Sequence, residues 1–200
     1  MEDIMRNMPA LRVILLGSCM PDNVRKGYIP KKDEIIKFQL PKLFQENILE
    51  KQNITRIFCA PDIQVSPERF FSKYSIELEP KLENRNYGIW AGQQLKNLLV
   101  EDQVQFMNPT YSPNGGESMC AFHIRLKSWL DSLFHKAQNQ DTFLVIASPV
   151  IIRALSACIL ADEIKNSFHI LNKLDIYPES WSVFSGRAGK WRILTLSAPF

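Results

Sequence analysis

Apolar residues are grouped along the chain into runs and stripes that predict buried strands and amphipathic helices. Runs at 11–16, 55–59 and 142–147 are typical of central strands that are covered on both faces of a sheet. Residues 118–136 carry apolar side chains at helical spacing, and residues 150–160 predict a helix after the third run. Strands that alternate with helices predict a three-layer α/β/α sandwich around a mixed, mainly parallel sheet.

Weaker patterns predict the remaining elements and the place of a binding pocket. They indicate helices at 33–49 (despite Pro41), 66–73 and 93–101, a short strand at 76–78, and a terminal hairpin formed by strands at 181–185 and 191–196. Ligands of such sheets bind beyond the carboxyl ends of the central strands. We therefore expect a pocket where the loops at 17–19, 60–61 and 148–149 meet.

Length and composition favour a soluble protein with one core. A chain of 200 residues would leave two separate cores marginal, so residues 1–200 are predicted to form a single domain. The net charge of +3 comes from scattered Lys and Arg, a pattern that argues against nucleic-acid binding. The four cysteines lie in apolar runs, which favours reduced thiols. No signal peptide or membrane-spanning stretch is recognisable, so we expect a cytoplasmic protein.

Five segments resemble motifs of the histidine phosphatase (phosphoglycerate mutase-like) superfamily. Residues 12–20 are similar to the opening strand that leads into Arg-His-Gly-Glu, and residues 59–61 to a Ser-Ser-Pro turn. Residues 82–92 resemble Glu-x-x-Tyr-Gly-x-Trp-x-Gly, and residues 114–118 match the Gly-Gly-Glu-Ser motif. Residues 145–155 resemble Val-Val-Thr-His-Gly-Gly-Val-Ile-Arg-x-Leu. The matches follow the family order over nearly the whole chain, which implies the family's fold.

The resemblance also locates the positions at which the family carries its chemistry. That chemistry needs a nucleophilic histidine, cationic side chains for the phosphoryl oxygens and a carboxylic acid for the leaving oxygen. The matched positions of the first arginine, the nucleophilic histidine, the second arginine, the acid and the second histidine are occupied by Gly17, Ser18, Gln64, Asn84 and Ser148. A shift of the first strand by one residue would place Leu15 or Leu16 at the first pair. Separately, a shift by one residue at the acid position would bring Glu83 there, restoring one carboxylate without restoring a nucleophile.

These replacements imply a pseudophosphatase, a binding, scaffold or sensor module with no catalytic residues, cofactor or metal. A phosphoryl group carries about −1.5 to −2 charges, and a pocket of small neutral groups would not offset them. The expected partner is a protein or a neutral polar ligand, without nucleic acid or membrane, and a homodimer remains open. The candidate pocket residues are Ser18, Cys19, Gln64, Glu83, Asn84, Glu117 and Ser148.

Other interpretations of the same residues stay open. Ser18 or Cys19 could be the nucleophile of a divergent hydrolase, although neither has a recognisable base and a Gly-x-Ser-x-Gly elbow is absent. Cys120 and His123 could form a metal pair on one helix, but two further ligands are missing. Arg125 is expected to hold neighbouring loops. Finally, the strands could be ordered differently from those of the family.

Overall fold

A six-stranded mixed sheet forms the centre of the molecule. The computed structural model describes residues 10–32, 34–67, 70–138, 140–161, 163–187 and 189–200. The strands are β1 (Ala10–Gly17), β2 (Ile36–Phe38), β3 (Ile54–Cys59), β4 (Ile63–Val65), β5 (Ile76–Leu78), β6 (Asp141–Ala147), β7 (Ser180–Arg187) and β8 (Lys190–Pro199). The main sheet has the order β5-β3-β6-β1-β7-β8. The first four strands are parallel to one another, and β7 pairs antiparallel with both of its neighbours, β1 and β8.

Helices and short turns connect these strands. The α-helices are α1 (Asp22–Arg25), α2 (Lys42–Asn47), α3 (Val100–Met107), α4 (Met119–Lys136), α5 (Pro149–Leu160) and α6 (Ser167–Leu171). The 3₁₀ turns lie at Leu49–Lys51, Phe71–Lys73, Pro80–Leu82, Gly88–Trp90, Leu95–Asn97 and Ile164–Asn166. In the described part of the chain, no helix is long and apolar enough to cross a membrane. The predicted three-layer sandwich and its mainly parallel sheet are confirmed.

The segments with the clearest apolar patterns form the elements with the most buried side chains. Residues 13–16 of β1 and 143–147 of β6 are buried on both faces of the sheet, as their continuous apolar sequence predicts. Helix α4 buries the predicted stripe against the sheet, and its Trp129 meets Phe58 of β3 edge to face with ring centroids 6.3 Å apart. The side chain of Ser118 caps this helix by accepting a hydrogen bond from the Ala121 N–H at 3.0 Å.

The helix predicted at 33–49 is wrong in its first half. Residues 36–38 form β2, which pairs in parallel with β4, and a helix begins only at Lys42. Pro41 explains the break, because proline has no N–H to donate and drives the preceding residue out of helical geometry. Part of the apolar spacing is buried, as at Ile36 and Phe44, but Ile35 and Leu43 are exposed because the segment forms a strand followed by a short helix.

Two other segments predicted as helices form shorter 3₁₀ turns in the structure. In the segment 66–73 the only helical turn among the described residues is the 3₁₀ turn Phe71–Lys73, while residues 68 and 69 lie outside the described chain. The helix predicted at 93–101 became the 3₁₀ turn Leu95–Asn97 and, further on, α3. The predicted strand at 76–78 and the terminal hairpin are confirmed as β5 and as β7 with β8.

A small second cluster covers the segment that follows β5. It is centred on the buried side chain of Trp90, which stacks on Tyr111 at 5.6 Å and packs with Ile29 and Leu98. Gly88 is required here, because its φ is +52° and a Cβ would overlap the carbonyl oxygen of Asn114. The cluster therefore fixes the course of the chain immediately after residue 84.

Candidate functional site

The carboxyl ends of β1, β3 and β6 meet at a small cavity. Its volume is about 50 Å³. Its lining residues come from the loops after these three strands and from the segments at 20–36 and 84, namely Cys19, Met20, Pro21, Val24, Pro30, Lys31, Glu34, Ile36, Asp62, Asn84, Ser148, Pro149 and Val150. The cavity therefore lies where the sheet topology places ligands in this class of fold.

Three lining side chains form a directed chain of hydrogen bonds. The Ser148 hydroxyl donates to Asn84 Oδ1 at 2.6 Å, and Asn84 Nδ2 donates to Asp62 Oδ2 at 2.5 Å. Ser148 also caps α5 by accepting from the Ile151 N–H at 3.4 Å. These hydrogen bonds thus connect the start of α5 to the loop after β3, and the last acceptor is the carboxylate of Asp62.

Asp62 is a buried carboxylate with one oxygen that lacks a well-aligned hydrogen-bond donor. The residue is only 9% exposed, and its Oδ1 has no well-aligned hydrogen-bond partner among the described residues. Burial raises the pKa of Asp62, while hydrogen bonds from its own loop and from Asn84 act in the opposite direction. Nearby Glu83 adds a smaller upward contribution to the same pKa.

Ser18 does not face the cavity, contrary to the sequence expectation. Its side chain is fully buried, and its hydroxyl donates to the backbone carbonyl of Cys19 at 3.1 Å. Its backbone N–H continues the β1–β6 ladder by donating to Ala147 O at 2.9 Å. The strand register turns position 18 inward, so that Cys19 lines the cavity instead, with its thiol donating to Lys37 O at 3.4 Å.

The backbone around Gly17 leaves little space for a side chain. A Cβ at this position would lie 3.2 Å from the carbonyl oxygen of Ser180 and 3.7 Å from that of Tyr177. Both neighbours are main-chain atoms, which cannot rotate away as a side chain can. A larger residue at position 17 would therefore require the start of β7 to shift by a few tenths of an ångström.

Two further candidates lie away from this cavity. Gln64 is an exposed residue of β4, paired with Lys37 of β2, because the chain continues as a strand after Pro61 and carries residue 64 outward. Glu117 is held by Arg125 through two hydrogen bonds of 2.8 and 3.0 Å and does not line the cavity. Glu83 lines a neighbouring space of about 20 Å³, whose other lining residues are Lys31, Lys32, Asp62, Asn84, Arg85 and Asn86.

Arg125 fixes the segment that carries Asn84. Besides its paired bonds to Glu117, the guanidinium donates to the carbonyl oxygens of Lys81 at 2.7 Å and Glu83 at 3.0 Å. The expectation that this arginine holds neighbouring loops is confirmed. One side chain of α4 thereby positions the residue immediately before Asn84.

His123 is a buried core histidine that does not line the cavity. Its Nδ1 lies 2.7 Å from Ser167 Oγ, and the Ser167 hydroxyl itself donates to Ile164 O at 2.5 Å, so we assign the Nδ1 proton to the histidine. Burial, helped by the positive charge of Arg85, lowers the pKa of His123 to about 4. Among the described residues, no group of three or more potential metal ligands occurs, and Cys120 and His123 are therefore not part of such a group.

Asp62 is the site residue that sequence reasoning missed. The alignment of the Ser-Ser-Pro turn directed attention to the residue three positions after Pro61, whereas the side chain in the cavity follows the proline directly. A usable signal was present, because a carboxylate at the end of an apolar central strand is uncommon in an interior position.

Replacing Ser148 tests the hydrogen-bond chain. We expect Ser148→Ala to lower the free energy of unfolding by about 2 kcal/mol, since it removes a helix cap and leaves Asn84 Oδ1 without its donor. Ser118→Ala is the matched control, because it removes only a cap and should cost about 1 kcal/mol. Urea unfolding of both variants measures the difference, and equal losses would contradict a contribution from the Asn84 bond.

Sequence comparison connects the chain to one family. The profile of the histidine phosphatase superfamily (branch 1) matches residues 68–199, about two thirds of the chain. A search of curated protein sequences finds no match.

Structural comparison finds phosphatases of the same fold. A mycobacterial glucosyl-3-phosphoglycerate phosphatase is 16% identical with a TM-score of 0.69, covering 94% of this chain and 99% of its own. A variant phosphoserine phosphatase of Entamoeba histolytica, bound to phosphoserine, is 15% identical with a TM-score of 0.72, covering 94% and 96%. The alpha-ribazole phosphatase of Shigella flexneri is 14% identical with a TM-score of 0.68, covering 94% and 98%. At these identities the comparison shows a common fold.

Proposed function

Because this chain belongs to the histidine phosphatase superfamily, we propose that it is a member that binds without hydrolysing phosphomonoesters. In this proposal the protein is a scaffold or sensor whose remodelled pocket, or a surface beside it, binds a protein or a small polar ligand. Catalysis and tight phosphate binding are lost together, because in this family the same side chains would serve both.

The observation that carries the proposal is the chemistry of the cavity lining. Among the described residues that line the cavity there is no histidine and no arginine, and the buried ionisable side chain is the carboxylate of Asp62. A phosphomonoester carries about −1.5 to −2 charges, so it would be desolvated next to a like charge. Unpaired burial of an anion is strongly unfavourable, and Lys31, the one cation among the described lining residues, is too little to offset it.

The burial of Ser18 also supports a loss of covalent chemistry. A hydroxyl nucleophile needs access to substrate and a base within hydrogen-bond reach. The Ser18 hydroxyl is enclosed and bonded to a backbone carbonyl, and the buried His123 is occupied by Ser167. Of the two nucleophiles considered from the sequence, only Cys19 lines the cavity. The test of the proposal must therefore include this thiol.

Hydrolysis of p-nitrophenyl phosphate by the purified protein is the direct test. We expect no release of nitrophenol above that of a Cys19→Ala and a Ser18→Ala variant, with an active member of the superfamily as the positive control. Turnover that disappears in either variant would refute the proposal and establish a divergent hydrolase. Iodoacetamide labelling followed by mass spectrometry adds a second readout, since a catalytic Cys19 would react faster than the other half-buried thiol, Cys120.

A further inference from the structure

Helix α3 carries an apolar stripe on its solvent-exposed side. Val100, Val104 and Met107 recur at helical spacing and are 76%, 64% and 73% exposed. Leu99, directly before the helix, is 72% exposed. We infer that this stripe is the contact surface of a homodimer, in which α3 packs antiparallel against α3 of a second copy of the chain. The inference goes beyond the proposed function and does not depend on it.

The other side of α3 already packs against the molecule. The Phe106 ring stacks on Tyr87 with centroids 6.0 Å apart and lies 5.7 Å from the ring of Trp90. Gln103 Nε2 donates to the carbonyl oxygen of Leu98 at 2.9 Å. A surface helix of a monomer turns most of its apolar residues inward, whereas this helix has a half-buried glutamine and two exposed valines. A contiguous apolar face of this kind indicates an interaction surface.

The area of the stripe fits a dimer interface. Each of the four exposed side chains contributes about 100 Å² of apolar surface, so one copy presents about 400 Å². Apolar atoms make up about 60% of an interface, so two such stripes with their polar surroundings correspond to about 1,300 Å² in total. Specific interfaces bury about 1,200–2,000 Å². The stripe alone therefore reaches the lower part of that range when it meets its own copy.

The charges at the ends of α3 favour an antiparallel pair. This orientation places Val100 opposite Met107 of the second copy, and the positive end of one helix dipole beside the negative end of the other. Glu101, which is exposed beside Val100, then meets Asn108 of the second copy. A parallel pair would instead bring the two Glu101 carboxylates together, and like charges in contact are unfavourable.

The composition of α3 argues against a membrane as the occupant of this face. Helices that lie on lipid surfaces carry Lys and Arg on their polar side, where they meet anionic headgroups. Residues 100–107 contain two acids, Glu101 and Asp102, and no Lys or Arg. Anionic lipids would therefore repel the helix, whereas a second copy offers a matching apolar stripe.

Sedimentation velocity of the full-length protein over about 1 to 200 μM tests the inference. We expect a monomer–dimer equilibrium with a Kd of about 10 μM, as suits an interface of this size. Val104→Lys puts a charge at the centre of the stripe and should raise the Kd at least tenfold. Leu194→Lys is the matched control, because this residue is 60% exposed on the edge strand β8, and it should leave the Kd unchanged.

Engineered cysteines test the antiparallel orientation. Chains with Val100→Cys and chains with Met107→Cys, mixed and oxidised, should form a disulfide-linked pair that contains one chain of each kind. Each variant oxidised alone should give no link through the new cysteine, because neither position lies opposite itself. Mass spectrometry of the linked peptides distinguishes this bond from bonds to the half-buried native thiols, Cys19 and Cys120. The result does not depend on Val104→Lys and decides the question if that variant does not fold.

Three results would overturn the inference. The first is a monomer at every concentration, and the second is a dimer whose Kd is the same in Val104→Lys as in the wild type. The third is a dimer in which Val100→Cys chains link to one another. A monomer that binds vesicles of equal parts phosphatidylcholine and phosphatidylglycerol would assign the stripe to a membrane and would overturn it as well. None of these results bears on the hydrolysis of p-nitrophenyl phosphate, which tests the proposed function separately.

Discussion

Acidification from pH 7 to pH 4 is expected to remove about 3 kcal/mol of unfolding free energy through His123 alone. Burial in the core and the positive charge of Arg85 lower the pKa of His123 from 6.5 to about 4. Between these two values the unfolded chain binds a proton that the folded protein does not accept. The contribution of His123 is therefore fully present above pH 6.5 and decreases as the pH falls toward 4.

Urea unfolding at a series of pH values measures this effect. His123→Asn, which can still donate to Ser167, should lower stability at pH 7 and flatten the curve between pH 6.5 and 4. His135→Asn changes an exposed histidine on the same helix and should leave the slope as it is in the wild type. Asp62 acts with the opposite sign, because its raised pKa makes the folded state gain stability as the pH falls. The difference between wild type and His123→Asn isolates the histidine, and a persistent slope in that variant would contradict the assignment.

Arg125→Ala is expected to cost about 3 kcal/mol of unfolding free energy. The guanidinium makes four hydrogen bonds, two to the Glu117 carboxylate and two to backbone carbonyls at 81 and 83. The two charged side chains are only 24% and 19% exposed, so removal of the arginine leaves a largely buried carboxylate without its partner. The loss also frees the segment that leads into Asn84.

Lys127→Ala is the control for Arg125→Ala. Lys127 pairs with Asp131 one turn further along the same helix, but both side chains are more than one third exposed. Exposed helical pairs of this spacing contribute at most about 0.5 kcal/mol. Hydrogen exchange should also accelerate at residues 81–84 in Arg125→Ala and remain unchanged in Lys127→Ala. Equal losses of stability in the two variants would show that Arg125 does not act through the loop.

The central part of the fold followed directly from the sequence because its signals were continuous. Runs such as 11–16 and 142–147 are short and continuous enough to favour a strand covered on both faces, and the stripe of α4 has one apolar face. The segment 33–49 failed because spacing alone does not distinguish a strand and a short helix from one long helix. Pro41 marks the boundary between the strand and the helix, and the predicted helix ran through it.

Asn84 and Ser148, two of the candidate residues, line the cavity. Ser148 directly follows β6, whose end the sequence locates, whereas the expectation for Asn84 comes from the resemblance of residues 82–92 to a family motif. Gln64 lies outside the cavity because β4 continues the chain as a strand, which depends on pairing with a distant segment. Strand register decides that Ser18 is buried in the core and that Asp62 lines the cavity. A shift by one residue would reverse which side chain faces a pocket.

The close approach of the 177–180 segment to Gly17 has a consequence for how this site can change over time. Any L-residue introduced at position 17 would place its Cβ within 3.2 Å of the main-chain oxygen of Ser180. A larger residue at position 17 would therefore require the main chain at the start of β7 to move by a few tenths of an ångström. Within this fold, recovery of a phosphate-binding arginine at this position is coupled to a small displacement of the neighbouring strand.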